Sequence, residues 1–123
     1  MQKYKVCFAT GSRADYGIVR NYLRLLNMDG SVDLSILITG ELLDAKYGRA
    51  KTIIEDDGFK IGFECPIPLR VDKLSDTTSA MSIVLEQFGK YFESNRFDLV
   101  IILGDRYEIF SVAIAAAMQH LPI

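Results

Sequence analysis

Four short apolar runs alternate with helix-like stretches along this chain, and the alternation limits the folds open to it. An order of this kind is typical of a parallel sheet with helices on both faces. The sequence therefore predicts an α/β, Rossmann-like domain. The strands are predicted at Lys5–Thr10, Val32–Ile38, Lys60–Cys65 and Asp98–Leu103. The last of these is apolar on both faces, so we expect a central, parallel strand.

Four helices are predicted between and after these strands. The first is closed by Asp29-Gly30. Its apolar residues recur at helical spacing: Ile18, Val19, Tyr22, Leu25 and Leu26. The others are expected within Arg49–Asp57 with Gly58 as the stop, over Asp76–Ser94 with Asp76 as the cap, and over Tyr107–Gln119.

Charge and cysteine content restrict the partners and the compartment. A formal charge of −2 argues against a nucleic-acid or anionic-membrane surface. The longest apolar stretch, Ile109–Met118, is too short to span a bilayer, and the start lacks a secretory signal. Cys7 and Cys65 have no paired spacing, which favours small buried side chains in a reducing compartment. We therefore expect a cytoplasmic protein.

The sequence ends where another strand is expected to begin. Leu121-Pro122-Ile123 follows the last predicted helix and is typical of a strand entry. A sheet that ended there would leave its edge bare. We expect the chain to be an incomplete domain of a longer protein; a domain of four strands is the alternative.

Two loops carry the polar residues best suited to chemistry. Thr10–Gly17 follows the first strand, and Gly104–Glu108 follows the fourth. In open parallel sheets, ligands bind beyond the carboxyl ends of the strands, and the first and fourth strands are commonly neighbours there. Glycine allows close backbone approach, arginine neutralises phosphate, and a carboxylate can take a proton or stabilise a cation. The two loops are therefore predicted to face one crevice, and their residues suit a substrate with a diphosphate and a reacting carbon.

The same spacing also fits helix capping. Ser12-Arg13-Ala14-Asp15 matches the capping box, and Asp105-Arg106-Tyr107-Glu108 matches it with aspartate as the cap. Each loop could therefore start a helix, form a site, or do both.

Motifs for other chemistries are missing from the sequence. Gly11 and Gly17 do not form a dinucleotide-binding fingerprint, and there is no P-loop or nucleophile elbow. His120, the one histidine, is interpreted as structural at a helix end. No metal-ligand spacing is present, so neither a metal nor a cofactor is expected.

At these two loops the chain resembles the UDP-N-acetylglucosamine 2-epimerase family, with the hydrolysing, sialic-acid-type branch the best match. Thr10–Gly17 resembles the first-loop signature of that branch, and Gly104–Glu108 resembles its G-D-R-x-E signature, followed by a similar alanine-rich helix. Other segments also fall in family register: Thr39-Gly40, Tyr47-Gly48 and Asp57-Gly58-Phe59.

The resemblance implies the partial amino-terminal domain of a GT-B-like, two-domain enzyme whose active site lies between the domains. It also implies that a histidine- and glycine-rich segment with a catalytic glutamate, and a second domain with most uridine contacts, lie outside this sequence. The 123 residues alone are therefore expected to be inactive. The complete protein is expected to be a homo-oligomer.

The implied reaction removes UDP from carbon 1 and a proton from carbon 2, and water then adds to the 2-acetamidoglucal. By resemblance, Asp105 is the carboxylate at the reacting ring and Asp15 a second matched carboxylate. The implied substrate-binding residues are Gly11, Ser12, Arg13, Arg106 and Glu108, with the arginines countering phosphate or holding the carboxylates.

Two departures leave the substrate open. Ile18 stands where many relatives carry lysine, and Leu42 where sialic-acid-type relatives often carry histidine. UDP-N-acetylglucosamine and a diacetamido analogue are both retained as substrates. A GT-B glycosyltransferase and a non-enzymatic α/β binding module remain the alternative functions.

Overall fold

The computed structural model describes residues 2–44 and 50–123. Its strands are β1 (Tyr4–Thr10), β2 (Val32–Thr39), β3 (Ile61–Cys65) and β4 (Leu99–Ile102). Its α-helices are α1 (Arg13–Met28), α2 (Ala50–Asp56), α3 (Ser75–Ser94) and α4 (Tyr107–Met118), and a 3-10 helix spans Gly40–Leu43. The predicted alternation is confirmed. Arg49 and Tyr47-Gly48, which entered the sequence predictions, lie outside the described residues.

The strands form one parallel sheet in the order β3-β2-β1-β4. The predicted neighbourhood of the first and fourth strands is confirmed, since Phe8 pairs with Ile101 and Ala9 with Ile102. The prediction that the fourth strand is central is wrong for this sheet, because β4 is an edge strand. Its free side receives one contact from the chain end, where the Val100 amide donates to the Pro122 carbonyl at 2.8 Å.

Helices cover both faces of the sheet, as predicted. On one face, α3 and α4 bury a core with inward residues of β1 and β4, including Cys7, Phe88 and Val112. On the other, α1 and α2 bury Phe8, Leu23, Ile36 and other apolar side chains. Both cysteines are free and buried, which confirms their prediction as small core side chains.

Two helix details differ from the sequence predictions. Ile18, Tyr22 and Leu25 lie on the exposed side of α1, because a second apolar stripe on the same helix faces the sheet. Asp76 is not a cap: α3 begins one residue earlier, and the Asp76 carboxylate accepts from the amides of Asp72 and Lys73.

The helix ends show why the elements stop where they do. Gly58, in the left-handed region at φ +85°, follows α2 as predicted. The first helix ends at Met28 with Asp29 as its C-cap, so the prediction that Asp29-Gly30 closes it is confirmed; the Asp29 carboxylate accepts from the Ser31 amide. His120 adopts φ +60° after α4, where the Leu121 amide donates to the Ala116 carbonyl. Among the described residues, no helix is both long and apolar enough to cross a membrane.

Candidate active site

The loop after β1 turns directly into the amino terminus of α1. Ser12 is the N-cap of this helix, and its hydroxyl accepts from the Asp15 amide at 3.1 Å. The Thr10 hydroxyl donates to the Ser12 carbonyl, which fixes the turn. The predicted capping box is therefore confirmed for the bond from the Asp15 amide to the Ser12 side chain. The reciprocal half is absent from the described part of the chain, since buried Oδ2 of Asp15 has no hydrogen-bond partner there.

The loop after β4 is shaped by Gly104 rather than by a cap. Gly104 has φ +93°, a conformation that L side chains rarely adopt. Helix α4 then begins at Tyr107 with Arg106 as N-cap and no side-chain cap bond. The interpretation of Asp105 as a helix cap is therefore wrong. Its side chain is exposed and makes no hydrogen bond or ion pair within the described ranges.

The two loops meet at the carboxyl edge of β1 and β4. A Cβ placed on Gly104 would lie 3.0 Å from Asp15 Oδ2, so the Asp15 carboxylate packs against the residue before Asp105. The amino termini of α1 and α4 open at the same edge, and the partial positive charge of a helix start favours an anion there. The predicted single crevice thus has both candidate carboxylates on adjoining loops.

Glu108 lies beneath this crevice rather than at its surface. Its side chain is fully buried, and Oε1 accepts from Arg106 Nε at 2.5 Å. The bond raises the pKa of Arg106 above its ordinary value. The Arg106 side chain is 40% exposed. The ion pair therefore has its carboxylate inside the protein and its guanidinium at the surface of the crevice.

Glycines at two neighbouring strand ends make room for Glu108. A Cβ on Gly11 would lie 2.7 Å from Glu108 Oε1. Gly40, with φ +66°, follows β2, and a Cβ there would lie 3.4 Å from the same oxygen and 3.0 Å from the Gly11 carbonyl oxygen. Gly11 was among the predicted site residues; Gly40 was not, although Thr39-Gly40 fell in family register.

Arg13 stands apart from this ion pair. It is exposed and makes no salt bridge with any other described residue. Together with Leu42, Tyr16 and Ile53, it lines a cavity of about 170 Å³ beside the first loop. Leu42, one of the two departures noted in the sequence, therefore contributes an apolar wall next to the Arg13 guanidinium.

A second ion pair braces α1 and was not predicted. The carboxylate of Asp57 accepts from the Tyr16 hydroxyl and from two nitrogens of Arg20, Nε at 2.8 Å and Nη2. The Arg20 bond, followed by that of Tyr16, lowers the pKa of Asp57. This link ties the first turns of α1 to the end of α2 and thereby holds the first loop in place.

Comparisons of the sequence with known proteins identify one family. Residues 24–123 match the family described as UDP-N-acetylglucosamine 2-epimerase. Over 119 residues, the chain is 43% identical to the polysialic acid biosynthesis protein P7 of Escherichia coli. It is 40% identical to a UDP-N,N'-diacetylbacillosamine 2-epimerase (hydrolyzing) of Legionella pneumophila. Each match covers 97% of this chain but 30% and 32% of the relative, so the chain spans about a third of their length.

The fold agrees with that assignment. The UDP-GlcNAc 2-epimerase of Neisseria meningitidis, solved with UDP-GlcNAc bound, superposes with a TM-score of 0.76 at 16% identity. The superposition covers 96% of this chain and 30% of that one. The four-stranded parallel sheet with its helices therefore matches part of the amino-terminal domain of these GT-B-like enzymes.

Proposed function

The chain belongs to the UDP-N-acetylglucosamine 2-epimerase family, and from that membership we propose that it is the amino-terminal part of a hydrolysing member. The complete protein would convert UDP-N-acetylglucosamine, or a diacetamido analogue, to the free 2-epimeric sugar and UDP. We place this reaction in nonulosonic (sialic-type) acid synthesis because the similar proteins named above are described by polysialic acid and diacetylbacillosamine. A cytoplasmic homo-oligomer, active only when the rest of the protein is present, completes the proposal.

The contact between the two loops carries the proposal. Asp15 packs against Gly104, next to exposed Asp105, while Arg13 and Arg106 present guanidinium groups at the same edge of the sheet. Paired carboxylates beside cationic groups suit a substrate that loses a diphosphate and a proton from adjacent carbons.

The reaction needs charge separation before proton removal. The proton on carbon 2 is barely acidic, so a base alone removes it poorly. When the bond from carbon 1 to the UDP oxygen breaks, positive charge builds on the ring and that proton becomes removable. The electrons of the C2–H bond form the C1–C2 double bond of the glycal. Water then adds across it, with a proton returning to carbon 2 on the opposite face and hydroxyl to carbon 1.

We assign roles to the crevice residues on this basis. Asp105 is the carboxylate at the reacting ring, and Asp15 is the second carboxylate, with its buried oxygen directed to the Gly104 turn. Arg13 and Arg106 counter the leaving diphosphate. Gly11 and Ser12 are buried, so they shape the site from within: Gly11 makes room for Glu108 and Ser12 caps α1, while Glu108 lies beneath the crevice. The cavity lined by Leu42 lies beside Arg13, where an apolar substituent of a modified sugar would fit.

Replacing Asp105 with asparagine in the complete protein tests the site. Asp105 is exposed and caps no helix, so Asp105→Asn should leave the melting temperature unchanged. Loss of one such electrostatic contact lowers kcat by about 10²–10³-fold. The matched control is Asp56→Asn, which changes an exposed carboxylate outside the crevice and should keep normal UDP release. A folded Asp105→Asn variant with near-normal turnover would remove Asp105 from the mechanism, and UDP release that required an acceptor would favour a glycosyltransferase.

A further inference from the structure

Loops after three adjacent strands converge on the carboxylate of Glu108. Gly11 follows β1, Gly40 follows β2, and Glu108 itself belongs to the first turn after β4. Both glycines leave the space that the Glu108 side chain occupies, as the Cβ distances to its Oε1 show. The position of this carboxylate is therefore fixed by the whole carboxyl edge of the sheet.

The hydrogen bonding of Glu108 is incomplete. Oε2 is buried and has no partner within residues 2–44 and 50–123, so Arg106 makes the sole hydrogen bond to this carboxylate in those ranges. A buried charge costs free energy unless it is well paired, and a neutral side chain of the same shape is often at least as stable. Stability alone therefore gives no reason for a carboxylate at this position.

The bond to Arg106 supplies a reason. Glu108 engages the Nε–H of Arg106, and this leaves both Nη groups without a partner among the described residues. The Arg106 side chain is 40% exposed, whereas Glu108 is not exposed at all. An arginine held through Nε keeps its planar fork in one orientation and can offer the two Nη groups to phosphate oxygens.

We infer that Glu108 is a positioning residue that orients the Arg106 guanidinium toward the diphosphate of the sugar nucleotide without touching the substrate itself. The inference rests on the proposed function, because it takes the diphosphate as the group that Arg106 meets. On this account Glu108 acts on the substrate only by orienting Arg106. Gly11 and Gly40 make room for the Glu108 carboxylate.

The test uses Glu108→Gln in the complete protein, with initial rates of UDP release. Glutamine keeps the shape and one acceptor oxygen but loses the charge that holds Arg106. Because the diphosphate is already negatively charged in the bound substrate, Arg106 pairs with it before and during its departure, so loss of the orientation should lower kcat/KM about tenfold, chiefly through a higher KM. The melting temperature should be equal to that of the wild type or higher, because a half-paired buried charge has gone.

A matched control separates orientation from charge. Glu41 is also near enough to act electrostatically on Arg106, but it makes no hydrogen bond to that guanidinium. Glu41→Gln removes the same unit of charge and should leave KM within about twofold of the wild type. Equal rises in KM for Glu41→Gln and Glu108→Gln would overturn the orientation argument.

A double-mutant cycle checks that Glu108 acts through Arg106. Arg106→Gln alone should raise KM at least as much as Glu108→Gln, and the double variant should show no further rise. Additive rises would mean that Glu108 contacts the substrate itself. If Arg106→Gln does not fold, the comparison of Glu108→Gln with Glu41→Gln still decides the matter.

The outcomes keep this inference apart from the proposed function. If the wild-type protein releases UDP but Glu108→Gln has an unchanged KM and an unchanged kcat, the positioning role fails and the epimerase stands. A lowered melting temperature with unchanged KM would make Glu108 purely structural. If the complete wild-type protein releases no UDP from either substrate, the proposed function itself fails.

Discussion

Gly11→Ala tests whether the crevice floor is packed as tightly as the structure shows. The new methyl carbon would lie 2.7 Å from Glu108 Oε1 and 2.8 Å from its Cγ. Glu108 has little room to retreat, because it is fully buried, lies beside Gly40 and is bonded to Arg106. One of the two loops must therefore shift.

The expected cost follows from two opposing terms. Forcing a methyl group into a packed interior costs about 1–3 kcal/mol. The backbone of Gly11 is outside the left-handed region, so alanine can adopt it without strain. Because alanine lowers the conformational entropy of the unfolded chain, it also adds about 0.4–1 kcal/mol to the free energy of unfolding. With the middle of each range, the net loss is about 1.3 kcal/mol, which in a domain of this size lowers the melting temperature by about 5 °C.

Thermal unfolding followed by circular dichroism measures this shift. Gly17→Ala is the matched control: a Cβ there meets nothing within 4 Å, and Gly17 lies inside α1, so alanine should stabilise by about 0.5–1 kcal/mol. Glu108→Ala should partly rescue Gly11→Ala by vacating the space. If Gly11→Ala melts at or above the wild-type temperature, the Gly11–Glu108 packing is wrong.

Two further predictions follow from burial and ion pairing. The Arg20 bond lowers the pKa of Asp57 below the unfolded value of about 3.9, so its stabilisation is complete above that pH and is lost as pH falls through the folded pKa. The difference in melting temperature between wild type and Asp57→Asn should therefore be large at pH 7 and shrink below about pH 4; a constant difference would contradict it. Burial raises the pKa of Cys7 to about 12 and also raises that of Cys65, so an aromatic disulfide reagent at pH 8 should modify neither thiol until the chain unfolds. Rapid labelling of the native protein would show that the core is open.

The sheet and its crevice could be predicted because they depend on local patterns. Alternating apolar runs and helices specify parallel strands, and the polar loops after the first and fourth strands then share an edge. The edge position of β4 could not be read from its composition, because Val100 and Ile101 are apolar whether the neighbour is a strand or a helix. The buried side of α1 was equally ambiguous, since Leu23 and Leu26 form one apolar stripe while Ile18 and Leu25 form another.

The burial of Glu108 could not be predicted from the residues next to it in the sequence. The spacing from Asp105 to Glu108 fits a capping box, yet the structure uses neither residue in that way. What buries Glu108 is its contact with Gly11, 97 positions earlier in the chain, and with the turn at Gly40. A pattern of four residues carries no information about such distant partners.

Proton NMR of the products formed by the complete protein in deuterium oxide tests the central claim most directly. UDP-N-acetylglucosamine and its diacetamido analogue are supplied in separate reactions. A hydrolysing 2-epimerase gives UDP and a free 2-epimeric sugar from one of them, with deuterium at carbon 2 because the proton is removed and returned from solvent. A 2-epimer still joined to UDP at equilibrium, or a free sugar of unchanged configuration that retains its carbon 2 proton, would contradict the account.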